Sequence, residues 1–94
     1  MADSFLVNHE IFPVGARLFI TTTTKYFVGR VKVRTHDFVV LEDAAWVADT
    51  GRFNVAMSTG DFDDVEPYVK PVAISILAII DVTEYVGNLP LGVK

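Results

Sequence analysis

Residues 25–34, KYFVGRVKVR, alternate between two kinds of side chain, and this pattern constrains the fold more than any other feature of the chain. Apolar residues or glycine occupy the odd positions from 27 to 33, while Arg30, Lys32 and Arg34 occupy even positions. Successive side chains of a strand point to opposite faces of a sheet. The pattern therefore predicts a half-buried β-strand with a basic outer face.

Other segments rich in β-branched and aromatic residues predict a mainly β protein. ARLFITTTT (16–24) predicts a strand, joined to the next by a short Thr-Thr-Lys loop, and DFVVLED (37–43) predicts a third strand buried on both faces. Residues 68–86 predict two strands or one long bent strand. Pro71 indicates that this region begins at an edge or a bend.

The middle of the chain allows two interpretations. Residues 44–60 form either a long strand that turns at Thr50–Gly51 or a segment containing a short helix. In the second case Asp49 or Thr50 caps the helix and Gly60 ends it. The spacing of its apolar residues, Phe53, Ala56 and Met57, favours the helix. Residues 61–67, DFDDVEP, are predicted to be an acidic loop.

Length and composition predict one small domain. The chain has 94 residues, of which 51% are hydrophobic, and we expect a single domain over 1–94 with an N-terminal extension at 1–12 and a tail at 87–94. Apolar surface left over after folding favours self-association. The absence of cysteine excludes disulfides and thiolate metal sites.

Targeting signals are not evident in the sequence. The first ten residues lack a basic region and a long apolar stretch, and the apolar run at 72–80 is too short to cross a bilayer as a helix. We therefore expect a soluble cytoplasmic protein that does not associate with membranes.

Charge is distributed unevenly along the chain. The formal net charge is −4, but the residues up to His36 include five basic and two acidic side chains, whereas those from Asp37 onward include three basic and ten acidic ones. The first third can therefore present a local basic surface in an acidic protein.

The segment YFVGRVKVRTHDFVVLEDA (26–44) resembles the first conserved motif of Sm-like proteins, the Sm, LSm and Hfq superfamily. The residues that carry the resemblance are Tyr26, Phe27, Gly29, Val31, Val33, His36, Asp37, the apolar run 38–41 and the acidic end Glu42-Asp43-Ala44. The resemblance is closer to short phage-encoded or environmental members of the superfamily than to the eukaryotic ones.

This resemblance implies an all-β, five-stranded SH3-like barrel of the Sm type and a homo-oligomeric ring of five to seven subunits. In the family, the fourth strand of one protomer pairs with the fifth of the next, a role that suits residues 72–86. The implied function is non-catalytic binding of single-stranded RNA or DNA without a cofactor. For a phage-encoded member, the expected location is the host cytoplasm.

Two departures from the family concern the nucleotide pocket. Asp37 stands where the family has a base-contacting Asn, or that Asn has no counterpart. The second family motif, which contains Arg-Gly, is replaced by SILAIIDV. Residues 44–71 correspond to the family's variable loop between its third and fourth strands.

The candidate nucleic-acid site combines positive charge with rings that stack on bases. Alternate residues of a strand stand about 6.6 Å apart, roughly the phosphate repeat of an extended single strand. His36 or Tyr26 is available for stacking. A solvated face whose charges pair with acidic neighbours such as Glu42 is the alternative interpretation. The predicted site residues are Lys25, Tyr26, Arg30, Lys32, Arg34, His36 and Asp37.

Catalytic and metal motifs are not predicted. The pairs His36-Asp37 and His9-Glu10 are adjacent in sequence, so in a strand their side chains would diverge rather than form a dyad. We predict neither an enzyme nor a metal site. The alternative to nucleic-acid binding is a structural or protein-interaction module, such as a phage assembly or scaffold protein built on the same barrel.

Overall fold

The computed structural model describes residues 12–94, which form a mainly β structure. The predicted extension at 1–12 and the pair His9-Glu10 therefore lie outside the described residues, apart from Phe12. The elements are β1 (Arg17–Thr22), β2 (Tyr26–Arg34), β3 (Phe38–Asp49), α1 (Phe53–Thr59), β4 (Asp64–Pro67), β5 (Val72–Ser75), a 3₁₀ turn (Ile76–Ala78) and β6 (Ile79–Glu84).

The strands form one antiparallel sheet in the order β4-β3-β2-β1-β6, with β5 also paired to β3. The 12-residue β3 accommodates two partners because β5 pairs along its first part, Phe38–Leu41, and β4 along its last, Ala45–Asp49. The mainly β class is confirmed. The described residues form six strands rather than five, and their sheet is not closed into a barrel.

The extra strand comes from the segment predicted to be an acidic loop. Its second half, Asp64–Pro67, pairs with the end of β3, and Val65 is buried while its neighbours Asp64 and Glu66 are exposed. A single inward-facing valine among carboxylates is a weak periodic signal. The pairing with β3, rather than the local sequence, therefore determines this strand.

The helical interpretation of the middle segment is confirmed, although its predicted caps at Asp49 and Thr50 are wrong. Arg52 occupies the N-cap position without a side-chain cap, whereas Asp49 Oδ1 accepts a hydrogen bond from the Gly51 amide at 2.8 Å and so stabilises the preceding turn. Gly60 ends the helix as predicted, in a left-handed conformation with φ of 82°.

The segment 68–86 forms two strands that are joined by the 3₁₀ turn, and Pro71 directly precedes the first of them. Thr22 and Lys25 close the predicted loop between β1 and β2, since the Thr22 amide donates to the Lys25 carbonyl at 2.9 Å. Neither α1 nor the 3₁₀ turn, the helical elements of residues 12–94, has the length and apolar character needed to cross a membrane.

One face of the sheet, here called the first face, carries a core formed mainly by the strands themselves. Its buried members are Leu18, Ile20, Phe27, Val31, Val39, Leu41, Ala44 and Ile74. Ile79 and Val82 of β6 pack against it, as do Phe12 and Tyr68. Because both ends of the sheet contribute, this core depends on strand curvature.

The opposite face, here called the second face, carries a separate core beneath α1 and the segments that flank it. Its buried members are Phe19, Val28, Ala45, Val47, Ala56, Phe62, Val65 and Tyr85. Phe62 lies between two rings, with its centroid 6.3 Å from Phe19 and 6.0 Å from Tyr85. The prediction of a half-buried β2 is therefore wrong over Phe27–Val28, since its neighbouring residues enter opposite cores.

The C-terminal tail returns along the second face. Arg17 Nη1 donates to the Gly87 carbonyl at 2.8 Å, and the Tyr85 hydroxyl donates to the Asn88 carbonyl. The Lys94 amide then donates to the Val65 carbonyl at 2.8 Å, beside β4. These bonds extend the cover of the second core beyond α1.

Gly29 lies where β2 approaches β3 closely, so substitution at this position tests how tight the approach is. A Cβ atom at this position would lie 3.0 Å from Ala44 Cβ and 3.1 Å from Leu41 Cβ. We expect Gly29→Ala to lower the free energy of unfolding by about 1–3 kcal/mol through overpacking, as measured by urea denaturation. Gly92→Ala is the control, because no atom lies within 4 Å of the corresponding Cβ. Equal stability of the two variants would contradict the close approach.

The buried Tyr85 should make the folded protein less stable at alkaline pH. Burial raises the pKa of its phenol above the ordinary 10.0, and the Arg17 charge partly opposes this shift. Below about pH 10 the phenol is protonated in both states; above it the unfolded chain loses the proton first, so the free energy of unfolding falls. We expect Tyr85→Phe, measured by denaturant unfolding from about pH 8 to about 11, to reduce this fall.

At neutral pH, the free energy of unfolding of Tyr85→Phe should be about 1 kcal/mol lower than that of the wild type, because the Asn88 carbonyl loses its hydrogen-bond donor. Burial also raises the pKa of Tyr68, so part of the alkaline fall should persist in Tyr85→Phe. A fall identical to that of the wild type would show that Tyr85 does not titrate differently on unfolding.

Candidate nucleic-acid interface

Two register shifts interrupt the pairing of β2 with β3. Val28 pairs with Ala45 but Arg30 pairs with Glu42, and Val31 pairs with Leu41 but Val33 pairs with Val40. The first shift places an additional residue on β3 and the second an additional residue, Lys32, on β2. An added residue of this kind bends a strand and reverses which face the following side chains occupy.

The prediction of a single basic face is wrong because Lys32 lies at the second shift. Arg30 Nη1 donates to Asp43 Oδ2 at 2.5 Å and lines a cleft on the second face. The Arg34 guanidinium carbon instead lies 5.5 Å from the centroid of the Phe12 ring, which packs against the first core. Arg30 and Arg34 therefore lie on opposite sides of the sheet.

Asp43 adopts a backbone conformation that is unusual for a residue with a side chain. Its φ is 48°, in the left-handed region, and it lies at the first register shift. Aspartate tolerates this conformation better than most residues. The bulge thus presents the carboxylate to Arg30, an ion pair that sequence spacing alone did not indicate.

Lys25 precedes β2 and Tyr26 begins it, at the opposite end of the strand from Arg34 and the hairpin loop. The eight steps from Tyr26 to Arg34 correspond to roughly 26 Å of extended strand. The Tyr26 ring stacks on Phe19 with a centroid separation of 5.7 Å and lines a small cleft with Phe53 and Asp81. The seven predicted residues consequently occupy three separate places.

The tip of the β2–β3 hairpin is the place where the structure brings predicted residues together with another loop. The Ile76 amide donates to the Asp37 carbonyl at 3.0 Å, so the 3₁₀ turn lies against the hairpin loop. An open cleft of about 430 Å³ lies between them. Its lining residues are His36, Asp37, Phe38, Ser75, Ile76 and Leu77.

Phe38 is a member of this cleft that sequence reasoning missed. It was predicted to be buried with the rest of its strand, but its side chain is 44% exposed because β3 only begins there. Leu77, 97% exposed in the 3₁₀ turn, was likewise assigned only to an apolar run. The local sequence does not reveal that either residue is exposed, because exposed and buried apolar residues look alike in a sequence.

His36 and Asp37 contact each other, contrary to the prediction that their side chains diverge. His36 Nδ1 lies 3.0 Å from Asp37 Oδ1 because the pair occupies a turn, not a strand. Both side chains are largely exposed, at 98% and 77%, which is typical of a solvated pair. No group of three or more potential metal-ligating side chains was found among residues 12–94.

The hairpin end combines rings with positive charge. Lys32 and Arg34 are exposed in the last part of β2, His36 is exposed in the loop that follows, and Phe38 offers an accessible ring. The turn that faces them is apolar and contains no arginine, so the charge comes from the β2 side alone.

Comparisons of the chain with protein-family models, curated proteins and solved structures found no match.

Proposed function

We propose that this protein is a non-catalytic, Sm-like module that assembles into a homo-oligomeric ring and binds single-stranded nucleic acid, RNA in the first place, at the hairpin-tip cleft. The observation that carries the proposal is the contact between the β2–β3 loop and the 3₁₀ turn, made by the Asp37 carbonyl and the Ile76 amide. In the Sm-like superfamily, the corresponding two loops hold the nucleotide.

Strand order supports the Sm-like assignment. When α1 and β4 are treated as an insertion within residues 44–71, the remaining strands follow the order β6-β1-β2-β3-β5. This is the order of a five-stranded SH3-like barrel, in which the last two strands are joined by a 3₁₀ turn. The bulged, glycine-containing β2 supplies the sharp bend that such a fold needs.

Two strand edges support assembly into a ring. Among the described residues, β5 pairs only with β3 and β6 only with β1, so each has an outer edge that another chain can pair with. Ile80, at a register shift in β6, is 64% exposed. Pairing between β5 of one subunit and β6 of the next would cover these edges.

Binding at the cleft would combine stacking with charge. The rings of Phe38 and His36 offer surfaces for a base, and base–aromatic stacking contributes about 1–3 kcal/mol. Lys32 and Arg34 would contact phosphates on the approach. Because the chain as a whole carries a charge of −4, each site would be weak, and a ring of identical sites would supply avidity.

The binding site is tested by neutralising the charges at the hairpin end. We expect Lys32→Gln/Arg34→Gln to weaken binding of labelled U-rich and A-rich RNA at least tenfold, measured by fluorescence anisotropy at about 50 and 200 mM salt. Each lost phosphate contact should make the dependence of log K on log salt shallower by about 0.7. Phe38→Ala should weaken binding with little change in that slope.

Arg52→Gln is the matched control, because Arg52 is exposed at the N-cap of α1 and is not among the residues that line the cleft. Equal weakening by this variant would indicate nonspecific attraction. If the wild type does not bind RNA or single-stranded DNA at low salt, the nucleic-acid proposal is wrong.

A protein-interaction module is the second candidate, favoured by the apolar residues exposed near the 3₁₀ turn. Leu77 is 97% exposed and Ile80 64% exposed, and they are three residues apart in the chain; contiguous exposed apolar surface marks contact sites. In this case, the edges and the turn would contact another protein as part of an assembly, and nucleic acid would not bind.

Self-assembly has its own test. We expect Ile80→Lys to shift the mass measured by light scattering from an oligomer to a monomer, because a charge at the β6 edge opposes strand pairing. Val69→Lys is the control, since Val69 is 97% exposed and precedes Pro71 outside the strands. A wild-type protein that is monomeric at high concentration would overturn the ring.

A further inference from the structure

A second cleft, separate from the hairpin tip, lies on the second face of the sheet. It has a volume of about 540 Å³ and is lined by Arg17, Arg30, Asp43, Asn88, Leu89 and Leu91. Small-molecule sites generally have volumes of about 300–1,000 Å³. None of these residues lines the hairpin-tip cleft, so the two surfaces can be tested independently.

Two arginines lie directly opposite each other in this cleft. Arg17 of β1 is the cross-strand partner of Arg30 of β2, an arrangement that puts the Cβ atoms about 4.5–5.5 Å apart. Like charges in directly opposed positions are unfavourable unless anions offset them. The pair therefore creates a local demand for negative charge.

Negative charge from the chain itself offsets the positive charge of Arg30 more fully than that of Arg17. Arg30 donates a hydrogen bond to the Asp43 carboxylate at 2.5 Å and has Glu42 as its cross-strand partner on β3. Arg17 instead donates to a neutral acceptor, the Gly87 carbonyl. Both of these bonds come from Nη1 atoms, and a guanidinium has five N–H donors in a fork that matches carboxylate and phosphate oxygens. The two arginines thus have donor capacity for an added anion.

The remaining walls suit the apolar part of a ligand. Leu89 and Leu91 come from the tail, and Leu91 is 84% exposed beside the two guanidinium groups. The Asp43 side chain is 55% exposed, so water would hydrate its carboxylate if another anion displaced it from Arg30. A cation pair beside exposed leucines matches a molecule with a charged head and an apolar body.

We propose that this cleft binds a small amphipathic anion, whose carboxylate or phosphate is held by Arg17 and Arg30 and whose apolar body lies against Leu89 and Leu91. Without the ligand, the Asp43 carboxylate accepts the hydrogen bond from Arg30. Asp43 therefore competes with the ligand for this guanidinium. Arg30 then belongs to the small-molecule cleft rather than to the nucleic-acid surface.

The experiment is isothermal titration calorimetry with phenyl phosphate and, separately, phenylacetate, which distinguishes the two head groups. We expect saturable binding of at least one probe with a Kd of about 1 mM or tighter. Arg30→Gln and Arg17→Gln should each weaken binding at least tenfold, whereas Arg52→Gln should leave it unchanged. Thermal unfolding checks that Arg17→Gln, which loses the bond to Gly87, remains folded.

Asp43→Asn separates a ligand site from a purely structural ion pair. Asparagine also tolerates the left-handed backbone, so the bulge should persist while the competing charge is removed. Binding of the favoured probe should become severalfold tighter. The proposal is overturned if neither probe binds the wild type or Asp43→Asn at about 10 mM, or if Arg52→Gln weakens binding as much as Arg30→Gln does.

Discussion

The irregular pairing of β2 with β3 is the interaction on which the rest of the structure depends. Its two register shifts allow β2 to bend, and Gly29 permits the close approach of Ala44 at the inside of that bend. Since the curved sheet encloses the first core, the second face is left to be covered by α1 and the tail. A regular β2–β3 ladder would produce neither arrangement.

Burial on both faces explains how a small chain uses so many apolar residues. Phe27 and Val28 are adjacent yet enter different cores, and Leu18 and Phe19 do the same on β1. Apolar side chains still remain exposed at the β6 edge and in the 3₁₀ turn. These residues lie at strand edges that no other strand of residues 12–94 pairs with, which links the apolar composition to the proposed self-assembly.

The same bends divide the basic residues among different environments. Arg30 meets a carboxylate on the second face, Arg34 lies over an aromatic ring on the first side, and Lys32 remains exposed between them. An acidic chain thereby has two distinct cationic surfaces instead of one stripe. The proposed roles differ accordingly: phosphate contact at the hairpin end, and a held anion at the Arg17–Arg30 pair.

The sequence by itself determined the strand-rich class, the loop at Thr22–Lys25 and the end of α1 at Gly60. Each depends on neighbours along the chain: alternation, turn residues, or a glycine that accepts a positive φ. Only the tertiary structure decided the additional strand β4, the exposure of Phe38 and the separation of Arg30 from Arg34. Each of these depends on register between distant strands, and a shift of one residue reverses a face without changing the local pattern.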